Sequence, residues 1–273
     1  MMIDCHTHIC RRGLDPAHRL PTPAEQIVIM DEYGIDQSII LPANCAEISF
    51  EPQSAAELLS IRDEFPARFI PFCCPDPRTY GSLSSAATDA FRKRLRQYAA
   101  LGFRGIGEYT ARLPWDTPAV RGLLEANRDV RLPIIFHTIP EETDGYGAID
   151  TVGLPGLEWA LKNHPEVPFV GHSAAFWSEI SGDVTLAQKN GYPKGPVMPD
   201  GAVIRLLRTY PNLHCDLSAG SGYNALTRDP EFGRKFLAEF SGRLCFGMDL
   251  CGPAQRSDLP AFLRARRDDG TLT

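Results

Sequence analysis

The chain has 273 residues, with 28 Lys and Arg against 34 Asp and Glu, for a net charge of −6 at pH 7. The basic residues are dispersed, which argues against a nucleic-acid-binding surface, because neutralising phosphates needs a basic patch. No apolar run is long enough to span a bilayer, and the N-terminus lacks the basic-then-apolar layout of a signal peptide, so no membrane partner and no cleaved leader are expected.

The apolar share of 43% and charged share of 23% are ordinary for a globular protein. The length suits one β/α barrel, so residues 1–273 are expected to form a single domain. The cysteines are Cys5, Cys10, Cys45, Cys73, Cys74, Cys215, Cys245 and Cys251. They form no C-x-x-C pair, and most lie in apolar runs, so buried free thiols are expected, and with them a reducing, cytoplasmic location.

In chain order, the first apolar run, 3–8, ends in His6-Thr7-His8. Thr22-Pro23-Ala24-Glu25 then reads as an N-cap, a first-turn proline and a capping-box Glu, and Gly34 closes that helix. Strands are expected at 37–43 and 69–76. Phe91, Leu95 and Tyr98 recur at helical spacing before Gly102, and a strand at 103–109 follows. Val120, Leu123 and Leu124 mark the next helix, and strands at 132–138 and 167–174 come after it. The next connection holds Phe176-Trp177-Ser178-Glu179 and the Gly/Pro-rich stretch Gly191–Pro196, and is expected to hang over the face where the strands end. Strands at 213–218 and 244–249 flank a helix marked by Phe232, Phe236 and Leu237. Successive strands start 29 to 46 residues apart, room for one βαβ unit each. Eight such units predict an α/β fold, a closed (β/α)8 TIM barrel.

Polar residues recur at the strand ends. Alternation along a strand points His6 and His8 to one face, with Asp4 on that face and Ile3, Cys5 and Thr7 towards the helices. Glu108, His137, His172 and Asp249 end later strands. Counting by twos places Ile106, Ile135, Val170 and Gly247 beneath them in the barrel. Six candidate metal ligands therefore gather at the C-terminal end, where barrels place functional residues. Imidazoles with carboxylates suit Zn²⁺ and leave a position for water, whose pKa the metal lowers towards neutrality.

The segments Ile3-Asp4-Cys5-His6-Thr7-His8, Phe169-Val170-Gly171-His172-Ser173 and Phe246-Gly247-Met248-Asp249, with His137, resemble the amidohydrolase superfamily, most closely its amidohydrolase-2 branch. The resemblance spans residues 3 to about 250. It implies a divalent metal, usually zinc, with Asp249 taking the proton from water and handing it to the leaving group. His172 then either binds a second metal or polarises the substrate carbonyl. Gly105-Ile106-Gly107-Glu108 resembles the Glu-bearing members, TatD-like nucleases included, in which the carboxylate bridges two metals and His137 and His172 hold the second. The alternative is that Glu108 only orients a ligand histidine. One tightly held zinc is the reading adopted, with a second where Glu108 bridges. Relatives usually have a longer end than the 24 residues after Asp249, which here leave room for one helix capped by Ser257, through Phe262 and Leu263. Further chain, or a neighbouring copy in a homo-oligomer, would then cover the seam between strands eight and one.

The expected partner is a small-molecule substrate. Tyr109, Arg112, Trp177 and Tyr223 are candidates to line its pocket, with Arg112 pairing to a carboxylate. His18, in a loop, His164, capping helix carbonyls, and His214, early in strand seven, read as structural. Two reactions share this ligand set: hydrolysis of a small amide, ester or lactone, and non-oxidative decarboxylation of an unsaturated or aromatic acid. A decarboxylase needs a group, usually Arg, to hold the carboxylate, whereas a bridging Glu108 favours hydrolysis. The acidic balance disfavours a TatD-like nuclease, and a pure binding role would leave ligand binding indifferent to metal removal.

Overall fold

Short apolar runs ending in polar residues form parallel strands in the computed structural model, which describes residues 1–13, 19–42, 44–48, 53–80 and 84–272. His18, and Ala43 at the end of an expected strand, lie outside the described residues. The strands are β1 (Ile3–Thr7), β2 (Gln37–Ile40), β3 (Phe69–Pro71), β4 (Ile106–Tyr109), β5 (Ile134–Ile139), β6 (Ala148–Ile149), β7 (Phe169–His172), β8 (Leu213–Asp216) and β9 (Leu244–Cys245). All eight expected strands are present, and β6 is an addition that pairs with the end of β5.

Two parallel sheets, β1-β2-β3 and β4-β5-β7-β8-β9, meet at both edges. At one edge Cys73 bridges Ile106, with Gly107 N donating to Cys73 O at 2.8 Å. At the other, Cys5 N donates to Phe246 O at 2.8 Å and Asp249 N to His6 O at 2.9 Å. The sheet closes into the expected barrel, so that the outer edges of the two sheets pair with each other.

The helical signals act locally as expected. Thr22 caps α1 (Pro23–Tyr33) in a complete capping box, and Gly34 ends it at φ 72°. Gly102 ends α3 (Ser85–Leu101) in the same way, at φ 96°. The other long helices are α2 (Ala55–Glu64), α4 (Pro118–Asn127), α5 (Pro155–Asn163), α7 (Ala202–Thr209), α8 (Ala219–Thr227), α9 (Pro230–Phe240) and α10 (Leu259–Asp268), and α6 (Ala174–Trp177) is a single turn. Their apolar faces form one large core with the outward residues of the strands, among them Ile40, Ile106, Phe136 and Phe169. The barrel bore holds a smaller cluster of Leu41, Phe72, Ile135 and Val170. Burial of each such side chain contributes about 1.5–3 kcal/mol.

Two strands depart from simple alternation, and both carry ligands. Between Asp4 and Thr7 the register of β1 against β2 slips, the signature of an extra residue. Asp4 therefore turns to the helix side, where its carboxylate accepts from Thr7 Oγ1 at 2.7 Å and Ser38 Oγ at 3.5 Å. Cys5 turns inward instead, its Sγ 3.3 Å from Asp216 Oδ1. This reverses the faces expected for Asp4 and Cys5, while Thr7 keeps its own. A second irregularity lies between Ile106 and Tyr109. Ile106 belongs to the outer core rather than beneath Glu108, and a Cβ on Gly105 would meet the ring of Phe72 in the bore at 2.1 Å. Gly107, at φ 153°, absorbs the change of phase.

The long connection after β7 runs through α6 to α7 and packs on the mouth side of α8. Asn224 Nδ2 donates to Pro193 O at 3.1 Å, and Val197 N to Asp229 Oδ2 at 3.0 Å. It is pinned inside by Lys189, fully buried, whose Nζ lies 2.7 Å from Glu179 Oε1. Helix α10 lies over the β9–β1 seam: Arg264 Nη2 donates to Tyr33 O at 2.5 Å and Tyr33 OH accepts from Ser257 N at 3.2 Å. Pro260 and Leu263 line an apolar groove there with Met2 and Phe246. The chain thus lays its own helix on the seam. Six of the eight cysteines are buried. No described helix is long and apolar enough to cross a membrane.

The capping box gives a test of the local reading. Thr22→Ala should cost about 1 kcal/mol in urea unfolding. The Arg19 guanidinium and the Thr22 N–H hold Glu25 down at about pKa 2, below its ordinary 4.5. The contribution of that ion pair is therefore present above pH 4.5 and lost as pH falls towards 2. Unfolding curves that show the same Arg19→Met penalty at pH 6 and pH 2.5 would contradict this.

Candidate metal centre

Five strand ends converge on one point. The slip in β1 keeps His6 and His8 on the same side, their Nε2 atoms 3.0 Å apart. Glu108, from β4, places Oε2 3.7 Å from His6 Nε2 and 3.3 Å from His8 Nε2. Its other oxygen, Oε1, faces His137 Nδ1 at 2.9 Å and His172 Nε2 at 3.9 Å. Asp249 divides in the same way, with Oδ1 3.6 Å from His6 Nε2 and 3.8 Å from His8 Nε2, and Oδ2 3.5 Å from His172 Nε2. All six sequence-predicted ligand candidates are brought together.

These separations can be tested against an ion. Tetrahedral bonds of ~2.1 Å put ligand atoms ~3.4 Å apart, close to the spacings here. Three groupings have ligand atoms within 4.8 Å of one another: His6-His8-Glu108, His6-His172-Asp249 and Glu108-His137-His172. The donor set, imidazole nitrogens with carboxylate oxygens, is one that zinc and manganese both accept. The residues fit a divalent metal.

The imidazoles are held for that task by groups outside the ligand set. His8 Nδ1 donates to Leu41 O at 3.0 Å, so its Nε2 lone pair faces the site. His6 Nδ1 donates to Asp216 Oδ2 at 2.6 Å, and His172 Nδ1 lies 3.1 Å from the same oxygen. Asp216 is 0% exposed and also accepts from Ser218 Oγ at 2.8 Å and Ser218 N at 2.9 Å. One carboxylate thereby sets the tautomer and plane of two histidines. Ser173, next to His172, is held at φ 105°, with its Oγ donating to Thr138 O at 2.9 Å and accepting from Phe176 N at 3.1 Å. Such local strain persists only where its surroundings enforce it.

The electrostatics are those of a buried acidic cluster. Burial would raise Glu108, but hydrogen bonds from His137, His6 and His8 prevail and hold it well below the usual carboxylate range. Asp216 is likewise lowered against burial by His6 and His172. Burial would lower His6, yet Asp249, Asp216 and Glu108 raise it well above the ordinary value. His172 also ends raised, Asp216 outweighing burial and the repulsion of His6. Glu108, Asp216 and Asp249 together bring three negative charges to this centre, which positive charge must balance.

Asp216 was missed in the sequence. The available signal was that Asp216 is the polar residue ending the one late strand assigned no ligand. The expected pocket residues fare differently. Tyr109 is buried in the outer core, stacked on Trp115 with ring centroids 5.5 Å apart. Trp177 is also buried, its Nε1 donating to Asp216 O at 2.9 Å, so it supports the centre from behind. Arg112 Nη2 is engaged by Glu141 O at 2.6 Å and Thr143 O at 3.1 Å, and holds that loop. Tyr223 packs edge-on to Phe262 at 5.8 Å. Of the four, Trp177 supports the centre through the backbone of Asp216, while the contacts of Tyr109, Arg112 and Tyr223 lie elsewhere. His214 is half-buried on β8, its pKa lowered by burial. His164 does not cap helix carbonyls with its ring; Asn212 Nδ2 does so, donating to Leu161 O, His164 O and Val167 O at 3.1–3.2 Å.

Imidazoles and carboxylates converging at the C-terminal mouth of a parallel barrel define a class, the β/α-barrel enzymes with a metal-type centre. The chain belongs to the amidohydrolase family, whose profile matches residues 3–271. No curated protein matches it in sequence. Among solved structures it is similar to a zinc-bound amidohydrolase from Burkholderia multivorans, at 17% identity and TM-score 0.58, covering 100% of this chain and 93% of that one. It is also similar to a probable 2-pyrone-4,6-dicarboxylic acid hydrolase from Acinetobacter baumannii, at 13% identity and TM-score 0.55, covering 97% and 91%. A 5-carboxyvanillate decarboxylase from Novosphingobium aromaticivorans, complexed with manganese, follows at 15% identity and TM-score 0.50, covering 91% and 86%. Identities this low show a shared fold.

The role of Asp216 is open to measurement. Asp216→Ala should weaken zinc binding about 10–100-fold, the usual effect of losing a ligand-orienting group. Competition with a chromogenic chelator reads this directly, and an unchanged zinc affinity would remove Asp216 from the centre.

Proposed function

We propose that this chain is a metal-dependent hydrolase acting on a small amide, ester or lactone. The observation that carries the reading is Glu108, whose two oxygens face different histidines, Oε2 towards His6 and His8 and Oε1 towards His137 and His172. A carboxylate so placed suits two divalent ions better than the single zinc favoured by the sequence. Zinc matches the donor set, and the zinc-bound and manganese-bound neighbours support either metal.

A divalent ion held there supplies a Lewis acid and a water acidic enough to react near neutral pH. His6, His8 and Glu108 would hold one ion, and His137, His172 and Glu108 would hold a second. Asp249, between the two, takes the proton of the attacking water on a carboxylate oxygen and delivers it to the leaving nitrogen or oxygen. Asp216 keeps His6 and His172 in the tautomer that leaves Nε2 free. The buried thiols of Cys5, Cys73, Cys74 and Cys215 support a reducing compartment, the cytoplasm.

Decarboxylation is the competing reading, supported by the decarboxylase neighbour. It asks for a cation to hold the substrate carboxylate, and Arg112, the candidate for that task, is bound to Glu141 O and Thr143 O. Glu108 would also have no part in it. Hydrolysis uses both observations.

Metal analysis of the purified protein, wild type and Glu108→Ala, decides the arrangement. Two equivalents falling to one are expected, with hydrolysis of activated lactones lost on chelation and restored by zinc. His6→Ala and Asp249→Ala should lower kcat/KM at least 1,000-fold, of the order seen when a key electrostatic or acid–base group is removed. One equivalent in both proteins would count against a bridging Glu108, and full activity in Asp249→Ala would remove the mechanism.

A further inference from the structure

The chain leaves β5 in a loop and returns to the same strand as β6. Just beyond His137, Thr138 and Ile139 pair with Ala148 and Ile149, and Thr138 Oγ1 donates to Ala148 O at 2.8 Å. The return is made by Gly145-Tyr146-Gly147, whose glycines stand at φ 136° and 127°, conformations that L side chains rarely adopt. Gly147 presses on the histidine itself: a Cβ there would lie 2.9 Å from His137 Cδ2 and 3.0 Å from His137 O. Tyr146 lays its ring against the imidazole, with centroids 4.6 Å apart at 57°.

This loop is tied to the strand that supplies Glu108. Gly147 N donates to Thr110 O at 2.8 Å, and Arg112 Nη2 donates to Glu141 O at 2.6 Å and Thr143 O at 3.1 Å. Thr110 and Arg112 follow directly on β4. One stretch of chain therefore holds both the Glu108 carboxylate and the wall behind its histidine partner.

His137 differs from the other three imidazoles in how it is held. His6, His8 and His172 each turn Nδ1 to a fixed oxygen, of Asp216 or Leu41, and Nε2 to the centre. His137 does the reverse, with Nδ1 2.9 Å from Glu108 Oε1, and its Nε2 makes no hydrogen bond with a described residue. Its side chain is 17% exposed, against 0%, 9% and 4% for His6, His8 and His172. The χ2 torsion of a histidine has a broad range, so a ring without an outer hydrogen bond keeps its plane only through packing.

We propose that Gly145-Tyr146-Gly147 is a clasp that positions His137 as a ligand of the second ion. It does by packing what Asp216 and Leu41 O do for the other imidazoles by hydrogen bonding. The inference rests on the two-ion arrangement of the hydrolase reading and adds Tyr146 to it as a positioning residue. The face of the ring carries the effect, because the hydroxyl makes no hydrogen bond with a described residue. The ion held by His137, His172 and Glu108 then depends on the clasp. The ion held by His6, His8 and Glu108 does not, since Asp216 and Leu41 O fix its imidazoles.

Cobalt(II) titration of the full chain, stripped by chelator, counts the ions by calorimetry and reports each one's surroundings by d–d absorption. Wild type should take up two. Tyr146→Ala should weaken the second about 10-fold or more, as loss of a ligand-orienting group does, and leave the first within about twofold. Tyr146→Phe keeps the ring and should restore both the affinity and the d–d spectrum of the second cobalt. Arg112→Met frees the loop at its other end, leaves every residue beside His137 in place, and should weaken the same ion. Unchanged second-ion binding in Tyr146→Ala and Arg112→Met would overturn the clasp and leave the two-ion arrangement standing. Equal weakening of both ions would also overturn it, because the ring would then serve the fold as a whole. Uptake of a single ion by wild type would overturn the two-ion arrangement, and the clasp with it.

Discussion

Glu108 is a carboxylate buried on a barrel strand, and a buried charge of this kind is tolerated only with partners. Four imidazoles surround it, two on each oxygen. Much of the site's architecture can be understood as what that arrangement requires. The imidazoles must present the right nitrogen, so Asp216 and Leu41 O take up the other one. Asp216 is itself a buried charge, and Ser218 satisfies it from the same strand end. The result is a nested set of polar groups in which each layer fixes the one inside it, as low-dielectric surroundings demand.

The barrel contributes by bringing strand ends together, but regular strands alone would not have placed these side chains. In β1 an extra residue lets Cys5 and His6 both reach the interior, with Asp4 sent outward to Thr7 and Ser38. In β4 the change of phase at Gly107 sets Glu108 in the bore above Gly105, while Ile106 and Tyr109 join the outer core. Bulges next to functional sites re-aim side chains in this way. Both occur where a ligand must leave the spacing that packing would dictate.

Around this core the loops divide their labour. Arg112, a candidate for the substrate pocket, holds a loop instead, as the buried Lys189–Glu179 pair does in the connection after β7. Tyr146, on the loop that Arg112 holds, lies against His137, and a glycine on each side makes room for it.

The sequence by itself determined the strand spacing, the helix caps at Thr22, Gly34 and Gly102, and the six polar residues that gather at one end, because these are local signals: each is written within a few residues, and a parallel barrel of βαβ units turns them into one shared face. Only the tertiary structure decided which way Asp4, Cys5 and Ile106 turn, since an extra residue in a strand reverses the faces on one side of it relative to the other and leaves no local mark. It also decided that Asp216 joins His6 and His172 across 210 and 44 residues of chain, respectively. That Tyr109 and Trp177 are core while Tyr146 faces the site was likewise beyond local pattern, because an aromatic residue near a strand end serves either purpose and only its neighbours in space assign it.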